Sequence, residues 1–180
     1  YPAVQLEVHF VDSEQAHKAV LDGDLSLAFL TLPPVYDKRL NYHMLWSDPL
    51  HFVTGILSPL AHKMNVTLEQ LANYPAILPA ANTFTSQITL AEFAKYNLKP
   101  YATMSTNPLE SIRMLVSVGL GWSVLPQTLV NQDLQPINMD TPVELQRYLG
   151  LVTNPNITVS ASMAALLDML GLEMDGKHRD

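Results

Sequence analysis

Residues 105–126 read Ser-Thr-Asn-Pro-Leu-Glu-Ser-Ile-Arg-Met-Leu-Val-Ser-Val-Gly-Leu-Gly-Trp-Ser-Val-Leu-Pro and predict a helix followed by a buried strand. Asn107 is of a type that favours the N-cap position, and Pro108 suits the first helical turn. Glu110 stands three residues after Asn107, which is the spacing of a capping box. The start of this helix is therefore predicted to be well defined.

The same stretch marks the end of the helix and the strand that follows it. Gly119 allows the left-handed turn that stops a helix, and residues 122–125 form an apolar run that ends at Pro126. The apolar residues of the helix recur at helical spacing: Leu109, Ile112, Leu115, Val116 and Val118. A sharply defined helix start after a strand can hold an anion, although an ordinary packing unit explains the same pattern.

The composition limits the classes of protein that this chain can belong to. It has 180 residues, 48% apolar and 15% charged, which is enough for one large core or two small ones. The absence of Cys excludes disulfides and thiolate chemistry, and it fits a cytoplasmic location. The net charge of -7 disfavours binding of DNA or an anionic membrane by this chain itself. No apolar run approaches the roughly 20 residues of a membrane span.

The order of elements predicts an α/β fold. A strand at 4–10, a helix at 13–21 and a strand at 25–30 form the first β-α-β unit. Further strands are predicted at 42–46, 51–57, 76–78, 101–105, 134–137 and 148–152. Further helices are predicted at 67–71 (with a capping box), after Thr83–Ser86, at 126–130 and at 163–170, before a frayed tail at 173–180. This arrangement indicates two α/β subdomains, with the chain crossing between them twice and a small molecule bound at the ends of parallel strands.

Two clusters of neutral polar residues precede helices in the same subdomain. Thr83, Thr85 and Ser86 open one helix, and Ser105, Thr106 and Asn107 precede the next. Hydroxyl groups together with backbone N–H groups at two helix starts could hold a carboxylate without a cationic side chain. The alternative is that these residues only cap their helices.

The motifs of catalytic and metal sites are absent from the sequence. No two of the six His residues have the i, i+4 spacing of a helical metal site. Gly121-Trp-Ser123 does not continue into a nucleophile elbow, and Ser123 lies within an apolar strand. We therefore expect no enzyme activity, no metal and no cofactor.

Several motifs in register resemble the effector-binding domain of LysR-type transcriptional regulators. They span residues 1–171, nearly the whole chain. The segments are 1–6 (Tyr-Pro-Ala-Val-Gln-Leu), 21–28 (Leu-Asp-Gly-Asp-Leu-Ser-Leu-Ala), 58–61 (Ser-Pro-Leu-Ala), 66–71 (Val-Thr-Leu-Glu-Gln-Leu), 97–100 (Asn-Leu-Lys-Pro), 114–121 (Met-Leu-Val-Ser-Val-Gly-Leu-Gly) and 124–126 (Val-Leu-Pro).

The resemblance implies a fold similar to type 2 periplasmic binding proteins, with two Rossmann-like subdomains and the effector in the cleft between them. Regulatory subdomain I would be 1–74 with 143–180, and subdomain II would be 75–142. The family's effector contacts correspond to Thr83, Phe84, Thr85 and Ser86, and to Thr106 and Asn107. Trp122 is bulkier than the residue that the family pattern leads us to expect, and it could narrow the cleft or fill the core.

The resemblance also implies partners outside this chain. The family carries a winged helix-turn-helix, a linker helix and the first strand and helix of this domain upstream of the position of Tyr1. We expect that this N-terminally truncated chain lacks them and that DNA is bound only through the missing N-terminal domain. Homodimers or homotetramers are expected, with the helix at 13–21 paired antiparallel with the helix that starts at Pro108 of another copy.

The function predicted from the sequence is ligand sensing by a LysR-type regulator. A small, anionic metabolite would bind and alter the geometry of the oligomer to control transcription. The alternative is a free-standing solute-binding protein of the periplasmic-binding type. The segment upstream of Tyr1 distinguishes them, because a regulator predicts a helix-turn-helix there and a solute-binding protein predicts a secretion signal.

Overall fold

The computed structural model describes Val4 and residues 7–172. Its helices are α1 (Ser13–Asp22), α2 (Leu68–Ala72), α3 (Phe84–Ala94), α4 (Leu109–Ser117) and α5 (Ala161–Met169). Its strands are β1 (Leu27–Thr31), β2 (Asn41–Gly55), β3 (Ala76–Leu78), β4 (Ala102–Ser105), β5 (Trp122–Pro126), β6 (Leu134–Pro136) and β7 (Leu145–Thr153). Two 3₁₀ turns lie at Pro59–His62 and Gln127–Leu129.

The chain divides into two compact units. The first comprises Tyr1–Trp46 and Tyr148–Asp180, and the second comprises Ser47–Arg147. The chain passes from one unit to the other twice, once within β2 and once within β7, as the sequence predicts. The functional subdomains with bounds at 74 and 143 stay a prediction.

In the first unit, β1 pairs antiparallel with β7, from Leu27 opposite Thr153 to Thr31 opposite Leu149. Helix α1 begins at Ser13 as predicted and runs to Asp22, one residue past the predicted end, before Gly23, whose φ of +86° is left-handed. Its Val20 is fully buried. Helix α5 supplies Met163 and Leu167 to a core cluster that contains Leu151 of β7.

The second unit contains a sheet with the order β6-β2-β5-β3-β4. Strand β2 is antiparallel to both β5 and β6, whereas β3 is parallel to both β4 and β5. All five residues of β5 are buried. That burial explains why the strand is apolar at every position except Ser123.

Successive residues of these strands enter two different core clusters. Phe52 of β2 and Val124 of β5 pack in the cluster that contains Phe93 of α3. Their chain neighbours Val53 and Leu125 pack in a second cluster, which also contains two residues of α4. The members of this second cluster are Val53, Ile77, Leu125, Leu134, Ile112 and Val116. Because successive side chains of a strand point to opposite faces, α3 and α4 cover opposite faces of the sheet.

Trp122 fills the core of the second unit. It is fully buried, and its Nε1–H donates to the Tyr74 carbonyl oxygen at 3.1 Å. Its ring stacks on Phe93 with centroids 5.8 Å apart and meets Phe52 edge-on at 5.7 Å. Of the two roles that its size allows, the structure shows the packing role.

Two strand predictions are wrong, because strand formation depends on neighbours that are distant in the sequence. The runs at 42–46 and 51–57 are one strand, because β2 continues through Ser47-Asp48-Pro49, which reads as a break in the sequence. Val4 and residues 7–10 form no strand, and the side chains of Val8 and Phe10 are 64% and 95% exposed. An alternation of apolar and polar residues does not by itself supply a neighbouring strand. Within the described residues, no strand pairs with this segment. The predicted tail at 173–180 lies outside the described residues.

A substitution at Gly121 tests how closely β5 approaches the chain before β3. An added Cβ at this position would lie 2.5 Å from the Pro75 carbonyl oxygen, which accepts the Trp122 N–H at 2.9 Å. We expect Gly121→Ala to lower the free energy of unfolding by about 1–3 kcal/mol in urea titrations, because backbone must shift. Gly119→Ala is the control: its φ is +84° but its Cβ meets nothing within 4 Å, so only about 1 kcal/mol is expected. Equal losses for the two variants would contradict the close approach.

His17 joins α1 to the start of β2 in the first unit. Its Nε2 lies 2.6 Å from the Tyr42 hydroxyl oxygen, which also accepts the Asp37 N–H at 3.1 Å. The His17 tautomer sets the direction of this bond: an unprotonated Nε2 accepts the hydroxyl hydrogen, and a protonated Nε2 donates to the hydroxyl oxygen. Burial lowers the pKa of His17 below its ordinary value, and the nearby Asp37 and Glu14 charges offset part of this effect.

Acid is therefore expected to destabilise the protein through His17. A lowered pKa in the folded state gives stability that is fully present above the ordinary pKa of about 6.5 and is lost as the pH falls through the folded-state value. The free energy of unfolding should fall less steeply with decreasing pH in His17→Gln than in the wild type. His62→Gln, at an exposed position, is the matched control for the loss of an imidazole. Parallel curves for His17→Gln and the wild type would contradict the assignment.

Candidate functional site

The two predicted polar clusters lie at one edge of the second unit's sheet. Strands β3 and β4 are parallel, with Leu78 opposite Ser105, so their carboxyl ends are adjacent. The Thr106 N–H donates to the Leu78 carbonyl oxygen at 3.3 Å and continues this pairing past the end of β4. The loop before α3 and the loop before α4 therefore both begin at this edge, which is where open α/β sheets bind ligands.

Thr83 is the N-cap of α3, as the capping interpretation predicts. Its Oγ1 accepts the Ser86 N–H at 3.3 Å and donates to the Ala80 carbonyl oxygen at 2.8 Å. The Ser86 hydroxyl donates to the Pro79 carbonyl oxygen at 2.7 Å. The side chains of Thr83, Phe84, Thr85 and Ser86 are all buried. Two of the predicted hydroxyls thus hold the loop in place.

Asn107 connects the two loops. Its Oδ1 accepts the Ala80 N–H at 3.0 Å, and the side chains of Thr106 and Asn107 are both half-buried. The structure brings the predicted residues of both clusters to one place through this contact.

The capping box predicted for α4 is wrong. The N-cap position is Pro108, with extended φ and ψ of -61° and 115°, and no side chain caps the helix. Asn107 instead bonds to Ala80, which is distant in sequence. Glu110 accepts from Arg113 Nε at 2.7 Å on the helix surface. Local spacing cannot anticipate a competing donor from another loop.

Arg147 is a nearby residue that the sequence reasoning missed. Its Nη1 lies 3.5 Å from Thr85 Oγ1, and its Nε and Nη2 lie 2.7 Å and 2.6 Å from Asp48 Oδ2. Arg147 is buried, with 8% of its surface exposed. A signal was present in the sequence: Arg147 follows the buried Leu145 at the two-residue spacing of one strand face. A cation at such a position needs a partner or a function.

Among the described residues, no group of three or more His, Cys, Asp or Glu side chains could hold a metal ion. Ser123 is fully buried and donates to the Ile77 carbonyl oxygen at 2.5 Å. In the part of the chain that the structure describes, no helix has the length and apolar character to cross a membrane.

A separate groove lies at the carboxyl end of α3. It has a volume of about 740 Å³ and is lined by Glu92, Lys95, Tyr96 and Leu98 of or after α3, and by residues 67–69 and 140–144. None of the predicted effector residues lines it. The assignment of Thr83–Ser86, Thr106 and Asn107 as effector contacts therefore stays a prediction.

Comparison with known proteins gives the class of this domain. The family model described as LysR substrate binding domain matches residues 1–175. The HTH-type transcriptional regulator YnfL of Escherichia coli (strain K12) is 30% identical over 131 residues, which are 70% of this chain and 43% of YnfL. This chain therefore belongs to the LysR substrate-binding domain family, and its curated relatives are transcriptional regulators.

Solved structures share the fold. The regulatory domain of Synechocystis PCC6803 CcmR in complex with 2-PG matches with a TM-score of 0.80 and 22% identity, over 94% of this chain and 83% of that one. The effector-binding domain of QuiR in complex with shikimate matches with a TM-score of 0.76 and 20% identity, over 89% and 77% of the two chains. The predicted α/β fold of the type 2 periplasmic-binding class is confirmed. The chain spans about half the length of the curated relatives that it matches.

Proposed function

We propose that this chain is the effector-sensing domain of a LysR-type transcriptional regulator and that a small anionic metabolite binds at the amino end of α3. The ligand contacts are Thr83–Ser86, Thr106 and Asn107. The observation that carries this proposal is the parallel pairing of β3 with β4, which puts both polar loops at one sheet edge. The Asn107–Ala80 hydrogen bond of 3.0 Å holds the loops together.

The helix start supports an anionic ligand. The helix dipole gives this end of α3 a partial positive charge. The Ser86 N–H is already bound by Thr83 Oγ1, so the dipole carries this part of the argument. The hydroxyls of Thr83 and Ser86 keep the preceding loop in position rather than donating outward. QuiR, a structural neighbour, was solved with shikimate, which carries a carboxylate.

The exposed face of α4 supports assembly through this domain. Met114 of α4 and Val118, the residue directly after the helix, are 55% and 68% exposed, and such exposed apolar side chains fit a contact with a second copy. We propose that α1 and α4 pair with the partner's helices in a homodimer or homotetramer. A ligand beside Asn107 would then act on the helix that the partner subunit contacts, and its effect requires different affinities for two states.

The remaining elements of the proposal concern the whole regulator. DNA would be bound by an N-terminal segment outside this chain, because the net charge of -7 disfavours contact with phosphates here. The relatives are regulators of transcription, which supports a cytoplasmic location and a role other than catalysis. The regulatory subdomains would be 1–74 with 143–180, and 75–142.

Alanine variants test the proposed site. A metabolite library screened by thermal shift should contain compounds that raise the melting temperature. For such a compound, Thr85→Ala and Asn107→Ala should weaken binding by about tenfold in calorimetry, since each removes a polar contact or its support. Thr141→Ala, at an exposed position of the same unit, is the control and should bind normally.

Two results would contradict these assignments separately. Unchanged affinity in both site variants would contradict the assignment of the site but would leave the proposed ligand sensing intact. A broad library without any stabilising compound would count against the sensing function itself.

A charge on α4 tests the assembly. Met114→Glu should shift the molar mass measured by light scattering from that of an oligomer toward that of a monomer. The reason is that assembly would bury the new carboxylate without a partner, which weakens the contact. Met64→Glu is the matched control, since Met64 is 71% exposed and lies outside α4. An unchanged mass for Met114→Glu would exclude this face of α4 from the interface.

A further inference from the structure

The Arg147–Asp48 ion pair in the second unit is unusually well buried. The two side chains are 10% and 14% exposed, respectively. The other Lys or Arg ion pairs of the described residues include a side chain that is at least 64% exposed. Burial of an ion pair costs desolvation energy that its attraction often fails to recover, so such a pair is weak support for stability. Its position beside α3 therefore points to another role.

The geometry leaves one edge of the guanidinium weakly engaged. Nε and Nη2 both contact the same oxygen, Asp48 Oδ2, at 2.7 Å and 2.6 Å. Nη1 has a long contact of 3.5 Å with Thr85 Oγ1, near the limit for a hydrogen bond. A guanidinium has more N–H donors than these three contacts use. The weakly engaged edge is the one beside the first turn of α3.

We infer that Arg147 determines the charge selectivity of the effector site, favouring a carboxylate ligand over a neutral one at the first turn of α3. This inference rests on the proposed function, because it concerns the ligand that binds beside Thr85. Asp48 neutralises the guanidinium while the site is empty and keeps Nε and Nη2 in place. Nη1 then donates to the incoming carboxylate, and its charge adds to the positive end of the helix dipole.

A purely structural role makes a different prediction. In that case Arg147 would only connect β7 with β2 and α3, and the charge of a small molecule would not affect it. Removal of the Asp48 charge distinguishes the two roles, because only an Arg147 that faces the ligand can replace its Asp48 partner with the carboxylate of a small molecule. The Glu110–Arg113 pair on α4 offers a matched control in the same unit.

The experiment compares Asp48→Asn with Glu110→Gln, each of which removes one negative charge from an arginine partner. The probes are sodium shikimate and its uncharged methyl ester, at equal ionic strength. Shikimate should raise the melting temperature of Asp48→Asn by about 2–5 °C more than the ester does. Glu110→Gln should show no such difference. Equal responses of the two variants would overturn the inference.

A second measurement needs no destabilised variant. In ¹⁵N-labelled wild-type protein, the Arg147 Nε–Hε resonance is identified by its loss in Arg147→Lys. It should shift on addition of shikimate and much less with the methyl ester, whereas the Arg113 resonance should stay in place. An Arg147 resonance that does not respond to shikimate, or that responds equally to both probes, would overturn the inference. A neutral metabolite that binds through Thr85 and Asn107 would also overturn it, but would leave the sensing function standing.

Discussion

The packing of Phe52, Phe93 and Trp122 is the contact on which the second unit depends. It joins β2, α3 and β5 in one buried cluster, with ring centroids 5.7–5.9 Å apart. Such edge-to-face and stacked aromatic pairs stabilise a folded protein by more than the burial of their apolar surface alone. Because Phe93 lies near the carboxyl end of α3, this cluster also sets the direction of the helix. The position of the helix start, where the proposed ligand binds, follows from the core.

The sheet edge then determines which polar residues meet. Parallel pairing of β3 and β4 aligns their carboxyl ends, so the loops that follow both strands emerge together. Thr83 and Ser86 stabilise the first loop from within, and Asn107 attaches the second loop to it. The structure thus shows the capping role of Thr83 and the loop-fixing role of Ser86, and ligand binding at this helix start stays a proposal.

Local rules predicted much of the fold. The Thr67–Gln70 capping box of α2, the left-handed ends at Gly23 and Gly119 and the buried strand β5 all match the structure. Each of these features depends on residues within one turn or one strand, so the local sequence is sufficient to predict it. The errors have the opposite character: Asn107 bonds to Ala80 instead of capping α4, and β2 continues through Pro49. In both cases a neighbour distant in sequence outweighs the local preference.

The sequence by itself determined the α/β class, the family resemblance and the two polar clusters at helix starts. These follow from periodicity, cap residues and motif order, which are local properties of the chain. Only the tertiary structure decided that Trp122 fills the core, that Asn107 bridges two loops and that Arg147 lies beside Thr85 with Asp48 as its counter-ion. Asp48 and Arg147 are far apart in sequence, and no local rule relates them. The buried charge beside the candidate site emerges only when the two strands that carry these residues are folded together.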